Sequence, residues 1–179
     1  MYKKIIYKQD VLNIAFENKN FNVNNILDTR IQSCTVKYIQ PILGDDFYSW
    51  FADTFTDCNL TEATNPYAYE LYIDYIRNAL SYYVKYEMII DNTYPITNAG
   101  VTIQPDSEGY HKAMFESVAA VKKQALTDAQ GFIERAVSYI AANRTDLNTE
   151  CEDAVDADGN TVILKESETA DTQSGFILD

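Results

Sequence analysis

The chain has 179 residues and carries 14 Lys and Arg against 27 Asp and Glu, a formal charge of −13. That balance excludes a nucleic-acid binder working through clustered cations, because such affinity comes from Lys and Arg displacing counterions. The excess is uneven: residues 144–179 hold ten acids and two bases, whereas residues 1–143 hold seventeen and twelve. The length suits one domain with an appendage, and a hydrophobic share of 46% is enough for a sizeable core. The three cysteines, Cys34, Cys58 and Cys151, are far apart and form no C-x-x-C pair. Neither a disulfide framework nor a zinc site is expected, and the thiols read as free in a reducing cytosol. The basic N-terminus lacks the apolar run of a signal peptide, and no stretch is long and apolar enough to span a membrane.

Residues 3–16 fit both a strand and a helical period, so an extended arm leading into a brief helical turn is expected, with residues 1–21 forming an N-terminal arm. From Asn22 the pattern is clear: Val23, Leu27, Ile31, Cys34 and Tyr38 recur at helical spacing, and Pro41 predicts the end of that helix near Gln40. Gly44 separates it from a shorter helix over residues 45–55, which carries Phe47, Trp50, Phe51 and Phe55 behind the first-turn acids Asp45 and Asp46.

The third helix has the best start signal, Thr64-Asn65-Pro66, with Asn65 as N-cap and Pro66 at the first helical position, and it runs to about Asn92. Two apolar rows lie side by side on it. One holds Ala68, Tyr72, Tyr75, Ala79, Tyr83, Tyr86 and Ile90; the other holds Tyr69, Ile73, Ile76, Leu80, Val84 and Met88. Only Glu70, Asp74, Arg77, Asn78, Ser81 and Lys85 form a polar stripe. An apolar arc wider than the ~100° of a surface helix places this one at the centre of a bundle or against another chain. Seven of the fourteen tyrosines sit here, and tyrosine joins apolar area to a hydroxyl that wants a partner. Tyr72, Tyr75, Tyr82, Tyr83 and Tyr86 are therefore candidate subunit-interface residues.

A loop over residues 93–106 follows, with a short extended piece at 101–103. The longest helix is predicted over residues 107–143, where Met114, Val118, Val121, Ala125, Ala129, Phe132, Ala136 and Ile140 recur at a helical period. The expectation is thus a mainly α fold, an antiparallel bundle of about four helices over residues 22–143. Residues 144–179 read as an acidic C-terminal arm, with Ala157-Asp158-Gly159-Asn160 as a possible β-hairpin turn. The arm ends in Phe176, Ile177 and Leu178, a candidate docking tip that reaches a neighbouring subunit or closes a disordered solubilising tail.

No catalytic or metal-binding residue is assigned. A calcium loop placed with Gly159 at position 6 would put Ala154 and Lys165 where ligands are needed. Glu108-Gly-Tyr-His111 would need a second such pair to hold two irons, and His111 is the only histidine. The six glycines form no phosphate loop, so no cofactor is expected.

Three stretches, taken in order, resemble a known family. They are Tyr38-Ile39-Gln40-Pro41-Ile42-Leu43-Gly44-Asp45-Asp46-Phe47-Tyr48, the tyrosine-rich third helix, and Ile96-Thr97-Asn98-Ala99-Gly100-Val101 before a long last helix. Their order and spacing resemble head-tail connector (adaptor) proteins of tailed bacteriophages, in particular the ring proteins of crAss-like phages. The resemblance covers residues 22–143 and does not extend to the acidic arm. It implies a non-enzymatic virion protein, made in the host cytoplasm, that forms a ring, commonly a dodecamer. Its partners would be other copies of itself, the portal and other tail or connector proteins, with DNA only passing through the channel and no membrane involved. Two other classes fit the residues: a cellular helical adaptor without enzymatic activity, and a ligand- or metal-binding bundle. The first would form no rings, and the second would melt at a different temperature with its ligand.

Overall fold

A helix that is apolar around much of its circumference has to be enclosed, and the tyrosine-rich helix is. The computed structural model describes residues 3–16, 22–93, 96–97, 100–101 and 108–151. Their elements are α1 (Lys8–Ala15), a 3-10 turn (Val23–Asn25), α2 (Asp28–Cys34), α3 (Gln40–Leu43), α4 (Asp45–Thr56), α5 (Pro66–Glu70), α6 (Arg77–Thr93), α7 (Glu108–Ala142) and α8 (Arg144–Glu150). The two-residue strands β1 (Ile96–Thr97) and β2 (Gly100–Val101) pair antiparallel between α6 and α7, with Ile96 opposite Val101. Of the extended piece expected at 101–103, Val101 lies in β2, and residues 102 and 103 lie outside the described residues. The fold is mainly α. Helix α6 packs against α1, α2 and α7, and Ile76, Ala79, Leu80, Val84 and Met88 are buried around it. No helix among the described residues is long and apolar enough to cross a membrane.

The four expected helical bodies are present, two of them with a π-helical stretch inside. Between α2 and α3, Thr35–Ile39 is π-helical, and the Gln40 N–H donates to the Thr35 carbonyl five residues back. A proline in a regular helix lacks a donor and collides with the carbonyl four residues earlier. The wider turn just ahead of Pro41 shifts those carbonyls, so the helix continues to Leu43 rather than ending before Pro41. Gly44 makes the stop, with φ at 75°, a conformation that disfavours any side chain. The helix also begins later than Asn22: residues 23–25 are a 3-10 turn and Leu27 is 56% exposed.

Between α5 and α6, Leu71–Ile76 is the second π-helical stretch, and the Arg77 N–H reaches back to the Tyr72 carbonyl. One extra residue in the turn re-phases the helix face. Leu71, in neither predicted row, is fully buried, and so is Ser81, which was expected on the polar stripe and donates its hydroxyl to the Arg77 carbonyl at 2.7 Å. Asn78 Nδ2 donates to the carbonyls of Ile73 (3.1 Å) and Asp74 (2.9 Å) within the π stretch.

Both ends of the described chain belong to the body rather than to arms. Ile5 and Ile6 are fully buried, Tyr48 donates its hydroxyl to the Lys3 carbonyl at 2.8 Å, and Lys3 bonds Ser49 (2.9 Å) and Asp53 (2.5 Å) on α4. Lys4 and Lys8 both pair with Asp28 at the start of α2. At the other end, residues 144–150 form α8 instead of an irregular tail, with Leu147 and Cys151 buried against the bundle. The possible β-hairpin at 157–160, the calcium-type loop and the tip at Phe176, Ile177 and Leu178 lie outside the described residues.

Helix α8 also carries the cap that the sequence places on Asn65. Asn65 sits at the N-cap position, but its side chain donates to the Asn59 carbonyl and to Thr64 Oγ1 and does not cap. The free N–H groups of Tyr67 and Ala68 donate to the two carboxylate oxygens of Glu150 at 2.8 and 2.9 Å. Burial holds this carboxyl above its usual pKa while the two N–H donors pull it down, so the contact acts by satisfying backbone donors more than by charge. Replacing Glu150 by Ala is expected to lower unfolding stability by about 0.5–2 kcal/mol, the range for a lost helix cap. Urea denaturation at neutral pH, comparing midpoints at constant slope, checks this; an unchanged midpoint would mean that water replaces the carboxylate.

Candidate interaction surface

The five candidate interface tyrosines divide into two groups. Tyr72 is buried between Phe51 and Phe55 of α4, at centroid distances of 6.2 and 5.3 Å, with the Arg77 guanidinium 6.0 Å from its ring. Tyr83 is buried against Tyr38, with the rings stacked 3.8 Å apart and 3° from parallel. These two are core residues of the single chain and are corrected out of the interface set. Burial pushes the Tyr83 hydroxyl up to about 12 and raises that of Tyr72 further, so both stay protonated.

Tyr75, Tyr82 and Tyr86 are half-buried along the seam between α6 and α7. Tyr75 lies 5.3 Å from Tyr139, Tyr82 stacks on Phe132 at 5.9 Å, and the Lys122 ammonium lies 4.9 Å over the Tyr86 ring. Arg135 covers the Phe132 ring at 4.5 Å, and Tyr139 donates its hydroxyl to Glu70 at 3.0 Å. The result is a ladder of half-buried rings, with the Lys122 and Arg135 cations over two of them. Phe132 and Tyr139 were missed as partners, although their seven-residue spacing matches that of Tyr75 and Tyr82 on an antiparallel helix.

Other apolar side chains stand in solvent on different elements. Leu27, just before α2, is 56% exposed; Val36, in the π-helical stretch after it, is 49% exposed; and Val121 on α7 is 46% exposed. No three His, Cys, Asp or Glu side chains gather into a metal-binding group among the described residues. The three cysteines form no disulfide; burial pushes Cys34 up to about 12 and Cys151 up to about 11, which keeps these two thiols protonated. Glu108 and His111 fall in the first turn of α7.

One polar cluster fastens the two π-bearing helices together. Glu87 on α6 accepts from Tyr38 Oη (2.7 Å) and Lys37 Nζ (2.9 Å), and Lys37 also lies 4.7 Å over the Tyr38 ring. Burial pushes the Glu87 carboxyl up, but the two hydrogen bonds and the charges of Lys37 and Arg30 outweigh it and hold the carboxyl below its ordinary 4.5. A carboxylate with a lowered folded pKa stabilises fully above its unfolded value, and that contribution is lost as pH falls through the folded value. Stability by urea titration is therefore expected to drop on acidification below 4.5, and Glu87→Gln should flatten that drop. An acid limb identical in wild type and variant would remove Glu87 from the account.

Comparison with known proteins adds one finding. No curated protein and no solved structure matches the chain. A family model described as "Family of unknown function (DUF6712)" matches residues 39–156, which is 118 of the 179 residues. The match begins at the last residue of the first π-helical stretch and takes in the Gly44 corner, the aromatic seam and α8. The chain belongs to the DUF6712 family.

Proposed function

We propose that this protein is a subunit of a head-to-tail connector ring in a tailed bacteriophage, set between portal and tail and traversed by DNA. The observation that carries the reading is exposed or half-exposed apolar surface on two different parts of one chain. One part is the α6–α7 ladder of Tyr75, Tyr82, Phe132 and Tyr139; the other, on the α2 side, carries the exposed Leu27 just before α2 and the exposed Val36 just after it. A closed ring uses head-to-tail contacts, in which one patch of a subunit meets a different patch of the next, so each subunit needs two. A two-fold dimer needs only one. The order of the Tyr38–Tyr48 stretch, the tyrosine-rich helix and the Ile96–Val101 stretch, which resembles that of connector proteins, supplies the phage context. In such a ring the net acidity of the chain turns the channel against DNA and lets the duplex slide rather than stick. No catalytic step belongs to this role; the protein acts as a shaped spacer with two lateral faces and two axial ones.

Light scattering on the purified protein, alone and with a portal protein, together with negative-stain microscopy, tests this. The expected result is an annular particle many times the 20.4 kDa of the chain. Val36→Asp should shift the particle toward monomer while leaving the helical circular dichroism unchanged, because Val36 packs little within its own chain. A monomer under every condition would favour a cellular helical adaptor instead.

A further inference from the structure

Residues 118–124 of α7 stand without cover. Along residues 118–124, Val-Ala-Ala-Val-Lys-Lys-Gln, no side chain is buried, whereas Ala125, Ala129, Ile133, Ala136 and Ile140 farther along the helix are. The apolar row of the bundle continues outward through Val118 and Val121, with Val121 46% exposed next to Lys122, whose ammonium lies over the Tyr86 ring at the end of the aromatic ladder. This window carries two lysines and no acid in a chain with a net charge of −13. The nearest acid on α7 toward the bundle, Asp128, already accepts a hydrogen bond from Gln124 at 2.7 Å.

We propose that this face is the dock for the chain's own C-terminal segment, with Phe176, Ile177 and Leu178 seated on Val118, Val121 and Tyr86 and the flanking acids facing Lys122 and Lys123. Three observations select this occupant. Its charge is complementary, since residues 152–179 hold eight acids and one lysine. Its end is an apolar tripeptide, matched to a small aliphatic and aromatic patch, with Asp179 directly behind it. Its length suffices: from Ala142 back to Val121 is 21 residues of helix, about 32 Å. The 24 residues from 152 to 176 span up to about 80 Å when extended. The dock touches the ladder only at Tyr86 and does not use Tyr75, Tyr82, Phe132, Tyr139, Leu27 or Val36, so it stands whether or not copies close into a ring.

Disulfide trapping in the full-length chain tests the proposal. Cys58, the one exposed cysteine among the described residues, is first changed to Ser; Cys34 and Cys151 are buried. Val121→Cys is then combined with Ile177→Cys, and two control pairs combine Ser138→Cys with Ile177→Cys and Val121→Cys with Ile163→Cys. The 121/177 pair is expected to oxidise at least about tenfold faster than either control, because docking raises the effective concentration of the tip. A non-reducing gel is expected to show trapping within one copy; trapping only between copies would overturn the assignment to the chain's own segment. Equal rates in the three pairs, or faster trapping through Ile163→Cys, would overturn it. A second readout is hydrogen exchange at the amides of residues 118–124, which should quicken when Phe176, Ile177 and Leu178 are all changed to Asp. Unchanged exchange there would also overturn the dock, and the mass of the particle reports on the ring independently.

Discussion

The structure depends on the enclosure of α6. A helix whose apolar arc exceeds one seam gains little from a single neighbour, and this one is covered by α1, α2 and α7 together. Ile76, Leu80 and Val84 are fully buried in that enclosure, each worth about 1.5–3 kcal/mol relative to exposure. Small residues make it possible: Ala79 and Ser81 on α6, and Ala125, Ala129 and Ala136 on α7, are buried where a longer side chain would hold the helices apart. The tyrosines follow from the same geometry. Those toward α4 and the first π-helical stretch become core, while those toward α7 form a half-buried seam.

The enclosure has consequences at both ends of the chain. Helix α1 must be present to cover one side of α6, and the strap of Ile5 and Ile6 along α4 brings it there. Helix α8 returns along the far end of α7 to the start of α5, where Glu150 takes up the N–H groups of Tyr67 and Ala68. The two π-helical stretches are the concessions of this arrangement. Each lets a continuous helix present one face before the wide turn and a re-phased face after it, so that Leu71 and Ile76 can both point inward.

Much of this was legible in residue order. The helix predicted over 107–143 from the stripe Met114 to Ile140 matches α7 to within a residue at each end, Gly44 marks the corner before α4, and Pro66 marks the start of α5, because these signals are local and chemically specific. The π turns were not legible, since no residue type encodes them; they arise when two faces compete for one helix. Pro41 therefore misled, and Ser81 was placed on the polar side. Asn65 lost its capping role to a carboxylate more than eighty residues away, a contact that only tertiary packing creates. At the candidate surface, the richness in tyrosine was visible but its division between core and seam was not. Tyr72 and Tyr83 differ from Tyr75 and Tyr82 in which neighbours cover them, not in local sequence.

The enclosed helix implies that the fold completes itself within one chain; in the proposed ring, contacts between copies would fall on what is left exposed beside α2 and on α7. Amide hydrogen exchange across a dilution series separates this from a helix covered by another copy. The account predicts that the amides of residues 77–88 are the slowest to exchange and that their protection is unchanged at concentrations where any assembly has come apart. Protection of those amides that falls with dilution, in step with the loss of assembly, would contradict it.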